Sequence, residues 1–462
     1  MMSGLALVGA DQHVPLVDGS TTRYVNLDYA ASTPPTVGVL EALESFLPHY
    51  SSVHRGAGFK SIISTEVYES ARVVVRRFFN APNGHTVLFT RNTTDSLNLL
   101  AASLPAGSSV ATFASEHHAN LLPWRRPKLA VRIVPIPVDA EAAVASARAV
   151  LDEGRIDLLA VTGASNVTGE LWPIAELAAV AHEHGAAIVV DAAQLAPHVP
   201  IDMEALGVDY LAASGHKMYA PFGCGVLVGS HRWLESGAPF LRGGGAVRFV
   251  TTEQVLWAEL PEREEAGSPN VVGAFTFAVA LSELSEFGME RVRDHDACLG
   301  AYARRRLTEV DGVTTHKLWP DTAPRTGIAL FSVEGYDHSL VAAVLSAEYG
   351  IGVRHGCFCA HPLVARLLGL TDREVGEVTA SIRDGAHQPL PGAVRVSVGV
   401  GSSEADIDRL VTALAELIDR GPRAKYAYDE VAAEYVLVDD DRPRPEVALP
   451  LAVARLARGE SS

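Results

Sequence analysis

VVDAAQLAPHVPIDMEALGVDYLAASGHKM, residues Val189 to Met218, decides how the chain is read. It opens inside an apolar, β-branched run, Ala187 to Val190, of the kind that forms a strand buried on both faces. Such a strand delivers Asp191 and Gln194 just past its carboxyl end, where open α/β sheets place their ligands. A second short strand, Tyr210 to Ala213, releases Ser214, Gly215, His216 and Lys217 into a turn at the same edge. One crevice thereby receives a carboxylate and an amine.

An acid set against a heteroaromatic nitrogen and a lysine able to form an imine are the two groups that pyridoxal phosphate (PLP) asks of a protein. Asp191 would keep the pyridine nitrogen protonated, and Lys217 would hold the cofactor covalently. Taken singly, Asp191 reads as a helix cap and Lys217 as a solvated surface lysine. With each following a strand, and DAAQ and SGHK intact, the cofactor reading is the better one.

Working outward toward the N-terminus, VNLDYAASTPP brings a short strand into a turn at Asn26 to Pro35, and Pro34 and Pro35 can start a helix over Val37 to Phe46. Residues 1–25 read as irregular. His54 to Lys60, HRGAGFK, is a glycine-punctuated loop before a helix over Ser61 to Phe79. Strand Thr86 to Thr90 passes through RNTTDSLNLLA into a helix whose first residues, Thr93, Thr94 and Asp95, offer backbone N–H groups and hydroxyls to an anion. A plain N-cap is the competing reading. The need to hold a phosphate, with Ser214 and His216 opposite, favours the anion.

Strand Ser109 to Phe113 leads into SEHHANLLPW, where an imidazole from His117 or His118 could stack on a pyridine ring. Strands at Arg132 to Ile136 and Ile156 to Thr162 follow, the latter ending in GASNVTGE. Asn166 could bond a ring hydroxyl there, although turn chemistry alone also explains an Asn before Gly169. With a helix over Pro173 to His184, the alternation from Thr86 to Val228 predicts a mostly parallel sheet with helices on both faces.

Beyond Val228 the pattern changes. FLRGGGAVRF, Phe240 to Phe249, does not follow a βα turn and is no dinucleotide loop. A helical run from Val271 to Glu286 is expected to continue as one long helix through Arg306 into a smaller α+β domain. That domain comprises strand Gly327 to Val333, helix Ser339 to Tyr349, strands Ile351 to Arg354 and Val394 to Val398, and a last helix opened by a Ser403/Asp406 capping box.

Between those strands lies RHGCFCAHPL, with Cys357 and Cys359 two residues apart and on one side of an extended loop. Zinc binding with His355 and His361, thiol redox chemistry and plain buried cysteine are the alternatives, and the one-residue gap matches neither zinc nor redox spacing. The flanking Gly and His-Pro favour a loop in which a thiolate acts as nucleophile. Residues 421–462 form an extension, with VDDDRPRPE as a solvated linker and Ala452 to Arg458 as a short helical docking piece. The expected divisions are an N-terminal segment, 1–25, packing on the small domain; a large cofactor-binding domain, 26–285; a small domain with the cysteine loop, 286–420; and the extension.

The chain has 462 residues and a formal net charge of −17, which argues against nucleic-acid binding. No apolar run has the length of a membrane span and no signal peptide is evident, so a cytoplasmic enzyme away from the membrane is expected. Four cysteines fit a reducing compartment.

Taken in order, NLDYAAS, HRG, TTD, SEHHANLLPW, SNVTGE, DAAQ, SGHKMYAPFGCG, EAGSPN and RHGCFCAHPL resemble the class V aminotransferases of PLP-dependent transferase fold type I. The resemblance is closest to group II cysteine desulfurases and selenocysteine lyases, over about residues 24 to 420. It implies a PLP-dependent homodimer that removes sulfur from L-cysteine, leaving alanine and a persulfide on Cys359 for an acceptor protein or small molecule. It assigns Lys217, His117 and Cys359 to catalysis. It assigns Thr93, Thr94, Asn166, Asp191, Gln194, Ser214, His216 and, from the second subunit, Ser268 to the cofactor. Arg395, Asn166, His54 and Arg354 are assigned to the substrate, and no metal is implied.

The alternatives are another class V PLP enzyme, such as a C–S lyase, selenocysteine lyase, epimerase or aminotransferase, in which Cys359 is structural, and a non-catalytic scaffold. Two features depart from the pattern. Cys357-Phe358 stands where the group has a His pair, a GCFC form similar also to molybdenum-cofactor sulfurases. LTDREVGEVTASIRDGAHQPLPG, residues 370–392, is longer than usual and is expected to cover or shape the site.

Overall fold

The computed structural model describes residues 5–54, 56–385 and 390–445. Its centre is a seven-stranded sheet in the order His85–Thr90, Gly225–Ser230, Tyr210–Ser214, Ala187–Asp191, Leu158–Thr162, Ser109–Phe113, Ala130–Val134. Only Gly225–Ser230 runs against the rest, being antiparallel to both of its neighbours, while the strands from Tyr210–Ser214 to Ala130–Val134 are parallel. The central strands read as continuous apolar runs because both faces are covered. Ile188, Val190, Leu211 and Ala213 pack into the core on one face, with the helices Phe59–Phe78 and Val271–Phe287. Ala187, Val189, Tyr210 and Ala212 pack into the core on the other, with Leu97, Leu100 and Trp124. The two-residue alternation of side chains along a strand thus splits each segment between two cores.

A second sheet is wholly antiparallel, in the order Val313–His316, Ile328–Val333, Ala393–Ser397, Arg354–Gly356. It packs against Met289–Thr308, His338–Tyr349 and Glu404–Arg420 around Phe331, Val344, Val396 and Leu414. The last helix begins with the expected capping box, Ser403 with Asp406.

Several expectations need correction. The helix after Asn270 does not run on through Arg306. It stops at Phe287 and a second helix, Met289–Thr308, leaves at 80°. Gly288 between them has φ 98 and ψ 109, a conformation that breaks the hydrogen-bond ladder and suits only glycine. The expected strand Ile351 to Arg354 is two pieces: Ile351–Gly352 pairs in parallel with Val25–Asn26, and Arg354–Gly356 joins the small sheet. The N-terminal stretch is not irregular throughout, since His13–Pro15 and Thr21–Arg23 form a hairpin.

The extension also carries regular structure ahead of the run VDDDRPRPE. Tyr426–Asp429 and Glu434–Leu437 pair as a hairpin. That hairpin lies against His338–Tyr349, with the Tyr435 N–H donating to Ser339 Oγ. The expected helix Ala452 to Arg458 lies outside the described residues. Within the long segment, Asp372–Arg383 is a helix with no buried residue. Among the described residues no single helix is long and apolar enough to cross a membrane.

Candidate active site

Because the strands ending at Thr90, Phe113, Thr162, Asp191 and Ser214 run in one direction, whatever follows each of them arrives at one edge of the sheet. A cavity of about 450 Å³ lies there. The sheet edge contributes Thr93, Thr94, His117, Asn166, Asp191, Gln194, Ser214, His216 and Lys217, and the small sheet closes the cavity with Arg354, Phe358, Cys359 and Arg395.

Asp191 is 4% exposed, and its carboxylate accepts one hydrogen bond, from the Ala193 N–H at 3.0 Å. Burial raises its pKa, and the Ala193 N–H and the Lys217 charge counter part of that rise. A buried carboxylate with so few donors has room for another. Gln194 is similar: its Nε2 donates to the Ala30 carbonyl at 2.6 Å, while its buried Oε1 has no partner. Lys217 sits on the cavity wall with its pKa lowered to about 8 by burial, against the pull of Asp191. Its amine is therefore neutral far more often than that of a free lysine, which is what makes it a nucleophile.

His117 Nδ1 accepts the Ala119 N–H at 3.0 Å. Burial, then Lys217, His118 and Arg395, lower its pKa to about 3, so its ring is neutral. The turn carrying it is fixed by Glu116, fully buried, whose carboxylate accepts from Asn120 Nδ2 at 2.7 Å and the Thr162 N–H at 2.8 Å.

At the opposite end, Thr93 opens an 11-residue helix whose N-cap, Asn92, accepts the Asp95 N–H. Ser214 Oγ accepts the Thr93 N–H at 2.8 Å and lies 2.7 Å from Thr93 Oγ1. Thr94 and His216 line the cavity beside them, and a helix N-terminus of this kind has the polarity that suits an anion.

Arg395 is 3% exposed. It pairs with Asp28 Oδ1 at 3.0 Å and donates to the Asn166 carbonyl at 2.7 Å, while its Nε has no partner. Asn166 in turn donates from Nδ2 to the Phe358 carbonyl at 2.8 Å, so in this structure its side chain clamps the cysteine loop. The His118 N–H donates to the Cys359 carbonyl at 2.7 Å, a second clamp. Phe358 and Cys359 occupy the left-handed region, φ 52 and φ 54, directly after Gly356 and Cys357. Two consecutive non-glycine residues there hold a tight turn that turns the Cys359 thiol outward, exposed and on the cavity wall.

Two predicted site residues are not brought to this cavity within the chain. His54 Nε2 bonds Glu69 Oε1 at 2.9 Å and its ring meets Tyr68 edge-on. Ser268 is exposed in the turn before Asn270. The sequence reading missed Asp28 and Glu116. Asp28 carried the signal that identified Asp191, an acid just past a short strand in NLDYAAS. Glu116 carried none, since only the fold buries it. Among the described residues, no group of three His, Cys, Asp or Glu side chains is arranged to hold a metal ion.

Comparison with known proteins identifies the family. Residues 25–410 match the family described as Aminotransferase class-V. A probable cysteine desulfurase of Halalkalibacterium halodurans is 37% identical over 358 residues, covering 75% of this chain and 86% of that one. The cysteine desulfurase of Klebsiella pneumoniae is 34% identical, covering 87% and 94%. Among solved structures, the apo cysteine desulfurase of Thermococcus onnurineus superposes with a TM-score of 0.75 at 29% identity, covering 86% of this chain and 95% of that one. An Escherichia coli cysteine desulfurase in its S-sulfonic acid form gives 0.72 at 30% identity, covering 86% and 95%. By this family match and these identities, the chain belongs to the class-V aminotransferase family.

Proposed function

We propose that this protein is a PLP-dependent cysteine desulfurase that takes sulfur from L-cysteine, releases alanine and carries the sulfur as a persulfide on Cys359. The observation that carries this reading is that the Lys217 amine and the Cys359 thiol line one cavity. The residues present fit the cofactor. Asp191 lacks a donor that a protonated ring nitrogen supplies, Gln194 Oε1 is a buried acceptor without a partner, and the Thr93 helix end suits a phosphate. When bound, PLP supplies a ring that delocalises the electron pair left at the substrate α-carbon.

The protein's own groups do the rest. Thr94, Ser214 and His216 would hold the phosphate, Asp191 would keep the ring nitrogen protonated, and the neutral His117 would be the group that stacks on the ring. Lys217 would hold the cofactor, and its amine, with a pKa near 8, is suited to taking the substrate α-proton. Arg395 grips the substrate carboxylate with its planar fork, exchanging part of its contact with Asp28, and Arg354 adds positive charge to the same end. Cys359 Sγ, as thiolate, would bond to the substrate sulfur as the Cβ–S bond breaks; the electron pair stays with the carbon fragment, which takes up a proton at Cβ and regains one at the α-carbon to leave as alanine.

A homodimer belongs to this reading: Ser268, exposed in one chain, would reach the phosphate of the other, and His54 would act at the same junction. Four free thiols fit a reducing compartment such as the cytoplasm. The test is alanine formation from L-cysteine by the wild type and by Cys359→Ala. Loss on the order of a hundredfold, with the visible absorption of the bound cofactor retained, is expected. Undiminished alanine and sulfide from the variant contradicts the reading and favours a class V enzyme in which Cys359 is structural.

A further inference from the structure

The loop that presents Cys359 carries a second thiol that this chemistry leaves unused. Cys357 is half-buried, two residues upstream, and the Ala360 N–H donates to its carbonyl at 2.9 Å, closing a four-residue turn that contains both cysteines. Its sulfur lies beside the His361 ring and the Cys359 backbone N–H. His361 Nδ1 in turn faces His118 Nε2 at 3.2 Å, with the two rings stacked at 5.0 Å. Cys357 thus has His361 as its imidazole partner, and His118, the residue next to His117, holds that ring in place. Burial alone would raise the Cys357 pKa, but the His361 hydrogen bond and the Cys359 N–H bring it below its ordinary value, and that of His361 is raised in return. A simple structural cysteine has no use for an imidazole partner; Cys224, fully buried, shows the contrast, its thiol pushed up by burial.

We propose that Cys357 is the second station for the sulfur: the outer sulfur of the Cys359 persulfide passes to Cys357, with His361 taking the Cys357 proton. This rests on the desulfurase reading above. In the step, the Cys357 thiolate bonds to the outer sulfur, the S–S bond to Cys359 breaks, and its electron pair stays on Cys359 as thiolate. One persulfide is lost and one formed, so no oxidant or reductant is needed. The transfer frees Cys359 for another substrate while the first sulfur waits, so one chain can hold two.

The experiment is timed exposure of the PLP-loaded, full-length protein to L-cysteine, alkylation, and fragment-resolved mass spectrometry of the peptide bearing both cysteines. The expected wild-type result is added sulfur on Cys359 first and on Cys357 later. Cys357→Ser should gain sulfur on Cys359 only, and Cys359→Ser on neither. His361→Gln should gain sulfur on Cys359 at the wild-type rate but slow its arrival at Cys357 on the order of a hundredfold. It should also slow the reaction of Cys357 with iodoacetamide, a change that a purely structural histidine would not produce. Wild-type protein whose sulfur stays on Cys359 overturns the proposal while leaving the desulfurase reading intact. So does a His361→Gln variant that fills Cys357 at the wild-type rate. Sulfur on Cys357 in Cys359→Ser overturns the order of transfer, and wild-type protein that gains sulfur on neither cysteine overturns the desulfurase reading itself.

Discussion

At the scale of single residues, the site depends on groups moved away from their ordinary ionisation. The Lys217 ammonium is disfavoured by burial, so its neutral fraction rises through about pH 8, well below the 10.5 of an unperturbed lysine. Rebinding of PLP by cofactor-stripped protein should therefore accelerate as pH rises through about 8 and level off above it, as followed by visible absorbance. A plateau reached only above pH 10 would show an unshifted amine. Arg395 makes a second prediction. Its fork spans Asp28 and the Asn166 carbonyl, and a lysine there offers a point charge in place of two parallel donors. Arg395→Lys should raise KM for L-cysteine roughly tenfold or more with a smaller change in kcat, because it weakens substrate binding before and during the reaction alike.

At the scale of elements, what could be read from sequence was whatever is local and periodic. Val37–Phe46, the strand Ser109–Phe113 and the capped last helix are where pattern and punctuation put them. The strand ends that deliver Asp191, Ser214 and Lys217 were legible for the same reason. The bend at Gly288 was not, because one glycine in an apolar helical run looks like a tolerated interruption, and only its dihedral angles reveal a break. Space is not the issue there: an added Cβ would meet nothing nearer than Arg291 at 3.6 Å. Gly288→Ala should thus cost about 1–3 kcal/mol through backbone strain alone, lowering the urea midpoint. An unchanged midpoint would mean that the bend tolerates an ordinary residue. The hairpin Tyr426–Leu437 was missed because its strands are four residues each and the turn between them lacks the Asn-Gly or Asp-Gly signal.

At the scale of the whole molecule, the site belongs to neither core alone. The larger core holds the cofactor edge, the smaller holds Arg395 and the cysteine loop, and the Asn166 and His118 hydrogen bonds join them. The extension reaches the same place from behind, since Glu434 lies 3.4 Å from His355 in the strand leading to the cysteines. It is anchored at Glu348, 1% exposed, whose carboxylate accepts the backbone N–H groups of Arg423 and Ala424 and the Tyr426 hydroxyl. Glu348→Ala should lower stability by about 2 kcal/mol and open the chain near Ala424 to limited proteolysis, because it leaves several donors of the extension unpaired. Resistance equal to the wild type would show that the hairpin is held by other contacts.

Two neighbouring strand ends would bring one amine and one acid to a single PLP molecule. This is tested most directly by reducing the PLP-loaded protein with borohydride and mapping the modified peptide. The pyridoxyl group is expected on Lys217 and on no other lysine, with none retained in Lys217→Ala. A label on a different lysine, or none at all, would contradict it.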